Sequence, residues 1–229
     1  MSDTFAGDVA KRYDATTAHI AVEPVVDFLV PLASGGALEL AIGTGRIAVP
    51  LAAHGVDVTG IDITPDMVAQ LRQKSDTIPV ELGDMTTTRV DGTFSLVYLV
   101  FNTIVNLPTQ EAQLACFRNA AAHLAPGGCF LIEADLLPDK ARNIFGLSDT
   151  YVGIDEYDAD TQRLVTYHFR LLEDGSWERI SVPCRATSPA ELDLMARLAG
   201  LELRERWADW DRSPFIDTSR KHVSVWQKT

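Results

Sequence analysis

Short apolar runs alternate along the first half of the chain with stretches whose apolar residues recur every three or four positions. The runs at 37–42, 56–61, 80–82, 94–100 and 129–134 read as strands, and the segments 46–54, 65–74 and 110–124 between them read as helices. Thr109 is placed to cap the last of these helices, and Pro126-Gly127-Gly128 is placed to end it. Strands alternating with helices predict a parallel sheet covered on both faces, the doubly wound α/β class.

From about residue 137 the period changes. Along 162–173, Val165, Tyr167, Phe169 and Leu171 point one way and Thr166, His168 and Arg170 the other. Asp174-Gly175 signals a hairpin, and 177–186 runs back antiparallel. The apolar stripe needs a partner surface: either it covers the core or it meets a second subunit. After the insert, Ser188-Pro189-Ala190-Glu191 has the residues of a capping box. A helix over 191–199 stops at Gly200, and 201–207 and 223–226 read as closing strands. The expected organisation is an α/β core with an N-terminal lid helix over 1–136, an antiparallel β insert over 137–186, and a helix and strands over 187–229 that complete the core sheet.

Composition narrows the partners. The 229 residues carry 20 Lys and Arg against 32 Asp and Glu, a formal charge of −12, which disfavours nucleic acid. No apolar run is long enough to span a membrane, and the first residues lack the apolar core of a signal peptide. Cys116, Cys129 and Cys184 are odd in number and far apart, so neither disulfides nor a zinc cluster is expected. A cytoplasmic protein is the expectation.

Chemistry concentrates in Leu38-Glu39-Leu40-Ala41-Ile42-Gly43-Thr44-Gly45-Arg46, where a buried strand runs into a glycine turn and then a helix. Gly43 and Gly45 let the backbone approach a ligand closely, and Asp62, ending the next strand, can take both hydroxyls of a ribose. The spacing Gly43-x-Gly45-x-x-Ala48 also fits a dinucleotide fingerprint. Two features favour a different ligand. Glu39 inside the first strand would oppose a pyrophosphate but suits a protonated amine, directly or by ordering the loop. Gly83-Asp84-Met85 after the third strand offers a carboxylate to an adenine amine and an apolar neighbour to its ring. Amine, ribose and adenine in succession describe S-adenosylmethionine.

With LELAIGTGR at 38–46, GIDITPDMV at 60–68, LGDM at 82–85, FSLVYLVFNTIVNL at 94–107 and HLAPGGCFLIEA at 123–134, the chain resembles the class I S-adenosylmethionine-dependent methyltransferases over nearly its whole length. The resemblance implies a seven-stranded sheet of order 3-2-1-4-5-7-6 with the last strand antiparallel. It implies that Gly43 and Gly45 flank the methionine moiety, Asp62 holds the ribose, Asp84 and Met85 hold the adenine, and Ile63 and Met67 line the adenine pocket or its rim. Ala41 stands where the family usually has glycine, a change expected to cost a small packing adjustment. Ser95 stands where it often has an acidic residue. The insert resembles that of small-molecule methyltransferases, including those acting on amino-sugar nitrogens.

Tyr13, in an N-terminal helix of the kind such enzymes fold over the cofactor, is a candidate for the methionine end or the substrate, with a packing role as its alternative. Arg46 is placed to pair with the methionine carboxylate or to be a solvated helix residue. Phe101 follows strand four, where a backbone carbonyl takes the cofactor amine in this family, and Asn106 faces the substrate or caps a turn. Glu133 and Asp135 read as loop-bonding carboxylates more readily than as substrate ligands. Trp207, Trp210 and Phe215 read as packing. The histidines are scattered and no Asp-Asn pair follows strand five, so no metal is expected. The function implied is methyl transfer from S-adenosylmethionine to nitrogen or oxygen of a small metabolite, with a homodimer through the insert. Two alternatives stay open: an S-adenosylmethionine-binding scaffold for a non-methylating reaction such as cyclisation, and an NAD-dependent oxidoreductase.

Overall fold

A computed structural model describes residues 5–229. Seven strands form one mixed sheet: β1 (Ala37–Leu40), β2 (Val58–Asp62), β3 (Val80–Leu82), β4 (Phe94–Leu99), β5 (Leu124–Asp135), β10 (Leu201–Trp207) and β11 (Lys221–Lys228). Their order is β10-β11-β5-β4-β1-β2-β3, and β11 runs antiparallel to both its neighbours. Counting core strands alone, this is the expected 3-2-1-4-5-7-6.

Helices α1 (Asp8–Thr17), α2 (Glu23–Leu29), α3 (Ala48–Ala53), α4 (Pro65–Arg72), α5 (Gln110–His123) and α6 (Pro189–Leu198) surround the sheet. The strands are apolar at successive positions because both faces are buried, and alternate residues feed two separate cores. Leu38, Val97, Phe130 and Ile132 join α5 and α6 on one side, where Phe117 packs edge-on against Phe130 and Trp226. Ala37, Leu96, Tyr98 and Leu131 join α2 and α3 on the other. Trp210 stands edge-on to Phe28 at 5.5 Å, a packing role as expected. Ser95 keeps a polar contact at the start of β4, donating to the Leu32 carbonyl and accepting from the Gly35 amide.

Three expectations are corrected. First, the helix after the glycine turn starts at Ala48 and not at Arg46, because Gly43 and Gly45 hold left-handed conformations that extend the turn. Second, Pro126-Gly127-Gly128 lies after the end of α5. Leu124 already pairs with Phe94 and is buried, and the pairing then jumps to Leu96 and Cys129, so the Pro-Gly-Gly stretch bulges out of β5. Third, the capping box is half formed. Ser188 accepts from the Glu191 amide, but the Glu191 carboxylate reaches Arg185, Gln110, Gln162 and Thr187 instead of turning back.

The insert is a four-stranded antiparallel sheet of β6 (Arg142–Ser148), β7 (Tyr151–Asp158), β8 (Arg163–Leu171) and β9 (Trp177–Arg185), not a single hairpin. Its first hairpin turns at Asp149-Thr150, which lacks the glycine that marks such turns in sequence. The face bearing Thr166, His168 and Arg170 closes over the carboxyl edge of the core sheet and lines a cavity there. Tyr167 and Phe169, stacked at 6.3 Å, belong to the opposite face. The polar part of this face turns inward because it covers a polar cavity, while Leu164, Val182 and Cys184 of the same face join the apolar core.

Candidate functional site

The carboxyl ends of β1, β2 and β4 open into a narrow slot. It is lined by Tyr13, Glu39, Ala41, Gly43, Arg46, Asp62, Ile63, Met67, Gly83, Asp84, Met85, Phe101 and Asn106, so every predicted site residue except Gly45 borders it. Gly45 acts from behind. A side-chain carbon there would lie 2.9 Å from Leu71, and at Gly43 one would lie 3.2 Å from the Met67 methyl group, with positive φ at both. The glycines thus let the loop pack flat against α4 and leave the slot clear.

Asp62 is the hinge of the slot. Its two carboxylate oxygens accept from the amides of Gly43 at 2.7 Å and Thr64 at 2.8 Å. Burial pushes its pKa up, and the two backbone donors pull against that. A carboxylate has about four lone-pair sites, so a ribose diol can still be received. Asp84 turns one oxygen to the amide and hydroxyl of Thr86, and its other oxygen has no protein donor among the described residues. Ile63 stands 43% exposed at the rim, while Met67 and Met85 are buried.

Glu39 is buried at the floor of the slot, accepting from the Tyr98 hydroxyl at 2.9 Å and the Ala48 amide. Burial raises its carboxyl to about 8, so it is mostly protonated at neutral pH until a cation comes near. Ala41 has φ of 56°, a left-handed conformation that glycine adopts freely. The departure from the family's glycine therefore costs backbone strain and not the packing adjustment expected. Ala41→Gly is expected to stabilise the protein by roughly 0.5–1 kcal/mol, the left-handed penalty less glycine's entropy, measured as a rise in the denaturation midpoint.

Helix α1 covers the slot through three consecutive residues. Arg12 pairs with Glu178 of the insert at 3.1 Å, Tyr13 lines the slot, and Asp14 binds the Thr44 hydroxyl and Lys74. Burial raises the Tyr13 phenol. Arg46 donates to the Ile20 carbonyl and lies 4.4 Å over the Phe101 ring, while its Nη1 is buried with no partner among the described residues. Phe101 and Asn102 both have positive φ. Glu133 and Asp135 hold this turn: Glu133 accepts from the Phe101 amide at 3.0 Å, and Asp135 exchanges hydrogen bonds with the Asn102 side chain. The loop-bonding role expected for both carboxylates is present, yet both also line a second, wider cavity.

That cavity, of about 1090 Å³, lies between core and insert and meets the slot at Tyr13, Arg46 and Phe101. Its roof carries Tyr151, Asp155, Thr166 and His168, which sequence reasoning missed. The signal was present in the polar half of the β8 alternation, which an unpartnered strand would turn to solvent. Asn106 lines the slot and not this cavity, and it accepts from the Cys184 thiol at 3.6 Å.

Residues 37–128 match the model of a methyltransferase domain family. The chain is 31% identical over 209 residues to the cypemycin N-terminal methyltransferase of a Streptomyces species, covering 86% of this chain and 85% of that one. It is 27% identical over 189 residues to a Streptomyces venezuelae N,N-dimethyltransferase of dTDP-3-amino-3,4,6-trideoxy-alpha-D-glucopyranose, covering 82% and 76%. Among solved structures it is similar to the CcbJ methyltransferase of Streptomyces caelestis, with a TM-score of 0.90, 32% identity and coverage of 100% and 99%.

Proposed function

The chain belongs to the class I S-adenosylmethionine-dependent methyltransferases, and from that premise we propose that it methylates an amine nitrogen of a small metabolite. The observation that carries this reading is the confluence of the two cavities. A slot with the fittings of an adenosyl cofactor opens at Tyr13, Arg46 and Phe101 into a space large enough for a metabolite.

The slot's residues fit the cofactor. The buried Nη1 of Arg46, without a partner among the described residues, suits the methionine carboxylate, Asp62 the ribose, and Asp84 with Met85 the adenine. When bound, S-adenosylmethionine supplies an electrophilic methyl group on a positively charged sulfur. The chain's own contribution is to align an acceptor with that methyl group and to keep water out, which α1 and the insert do from above. Glu39 answers the cofactor's charge. A cation beside a carboxyl near 8 favours its ionised form, so binding at pH 7 is expected to release a proton. Calorimetric binding enthalpies that vary with the ionisation enthalpy of the buffer would register it, and Glu39→Gln is expected to abolish the variation.

Nitrogen is favoured over oxygen by two carboxylates of the wide cavity. Asp135 on the floor and Asp155 on the roof form no ion pair among the described residues. Burial pushes both upward, and Asp135 is raised further by Glu133. An ammonium group entering between them relieves that cost. The amine-directed names of the two Streptomyces relatives support the same choice. The half-buried Tyr167 and Phe169, turned away from the core, support a homodimer through the insert, which sedimentation would detect. No helix among the described residues is long and apolar enough to cross a membrane.

Calorimetric titration with S-adenosylmethionine and, separately, with NAD tests the slot. Saturable binding of the first and none of the second is expected. Binding of NAD alone would refute the reading.

A further inference from the structure

In the insert, register places two glycines opposite each other, Gly146 on β6 and Gly153 on β7. A side-chain carbon at Gly146 would lie 2.6 Å from the Tyr151 ring, and one at Gly153 would run into Phe145 and lie 2.9 Å from the Tyr151 hydroxyl. The bare backbone lets Tyr151 lie across the ladder, its hydroxyl 2.7 Å from Nδ1 of His168, which pairs with Gly153 across the strands. Phe145 stands edge-on to the imidazole at 5.7 Å. The ring is thereby held on two sides. Its Nε2 has no protein partner among the described residues, is not sealed from the cavity, and belongs to a residue that lines it. Asp155, on the same face, accepts from the Thr166 hydroxyl at 2.7 Å and lies close enough for its charge to act on His168.

Methylation of an amine that arrives as an ammonium ion requires a proton acceptor. One N–H proton must leave to free the lone pair. The nitrogen then bonds to the methyl carbon as the carbon–sulfur bond breaks, sulfur keeps its electron pair, and the product leaves as the N-methylated ammonium ion. The carboxylates that attract the cation also favour its protonated form, so a neutral base is better suited to take the proton. We propose that His168 is that base, receiving the proton on Nε2 while Nδ1–H donates to the Tyr151 oxygen and Asp155 offsets the charge of the imidazolium. The assignment rests on the amine-methyltransferase reading above.

Burial keeps His168 below the usual histidine range, with Asp155 pulling the other way, so it meets an incoming ammonium as a neutral ring. The charged and titratable groups around it are Tyr151 and Asp155 on β7, Arg170 on β8, the Glu178–Arg12 pair joining β9 to α1, Tyr13 on α1, Arg46 at the mouth of the slot, Glu133 and Asp135 on β5, and Lys221 on β11. The other histidine lining the cavity, His19, is exposed.

The test has two arms. In the first, nitrogen-15 NMR at pH 7.5 reads the tautomer of the histidine whose signals vanish in His168→Gln. The Nδ1–H tautomer with a bare Nε2 is expected, and the Nε2–H tautomer would overturn the proposal whatever the acceptor is. In the second, formation of S-adenosylhomocysteine is followed from pH 5.5 to 9 with pyrrolidine and alaninamide as minimal amine acceptors. His168→Gln is expected to lower kcat about 100-fold at pH 7 with KM and cofactor affinity little changed. The deficit should shrink as pH rises and free amine accumulates, and imidazole should restore turnover to His168→Gly. Tyr151→Phe should move the acidic limb of the wild-type profile. An unchanged kcat at every pH, or a loss confined to KM, would overturn the assignment. Failure of the amine reading has a separate signature: wild-type protein that binds the cofactor yet forms no S-adenosylhomocysteine from either amine, an outcome that removes the base's substrate and the proposal with it.

Discussion

Exchanging Asp62 for alanine is expected to weaken S-adenosylmethionine binding by 100-fold or more. The carboxylate holds the amides of Gly43 and Thr64 in place and is nearly buried, so its removal strands two backbone donors and loosens the turn that forms the slot floor. It also removes the acceptor assigned to the ribose hydroxyls. Charge-assisted hydrogen bonds contribute roughly 1.5–3 kcal/mol each, and 100-fold in affinity is about 2.7 kcal/mol, so the loss of two such bonds is sufficient. Asp62→Asn keeps one acceptor oxygen and should fall between the two. Calorimetric titration of the three proteins measures the series. Equal affinities would remove Asp62 from the site.

Arg185→Ala is expected to destabilise the whole fold by roughly 3–5 kcal/mol, the usual effect of breaking a buried ion pair by deleting one partner. Arg185 ends β9 and is buried where insert, α5 and α6 meet. Its guanidinium reaches Gln113 at 2.6 Å, Gln162 at 2.5 Å and Glu191 at 2.6 Å. Burial alone would raise the Glu191 carboxyl, but hydrogen bonds from Arg185, Thr187, Gln162 and Gln110 outweigh it and bring the group down to about 2. That depressed value sets the sign of the pH dependence. The stabilisation is fully present above the ordinary glutamate value near 4.5 and is lost as pH falls toward 2. Thermal or urea unfolding of Arg185→Ala measures the loss, and its acid sensitivity between those values should be weaker than that of the wild type.

The core was legible because its signals are local and redundant. Apolar runs, the glycines after β1, Asp62 at the end of β2 and the Gly-Asp-Met after β3 each constrain the backbone within a few residues. What the sequence concealed depends on long-range pairing. Glu191 reads as half of a capping box until Arg185 is brought beside it. That Gly146 and Gly153 make room for Tyr151 shows only in their cross-strand register. Thr166 and His168 read as a solvent face because alternation reports which side of a strand differs, not what lies against it. Ala41 escaped for a related reason: a positive φ at a non-glycine residue leaves no trace in composition.

The measurement that bears most directly on the function is transfer of a labelled methyl group. Incubated with S-adenosylmethionine carrying a carbon-13 methyl and with amines spanning peptide N-termini, amino sugars and cyclic secondary amines, the protein is expected to place the label on an acceptor nitrogen and to release one S-adenosylhomocysteine per label transferred. Cofactor that is bound and recovered with its methyl group intact, while an acceptor is changed in some other way, would contradict the account and favour a binding scaffold that promotes a different reaction.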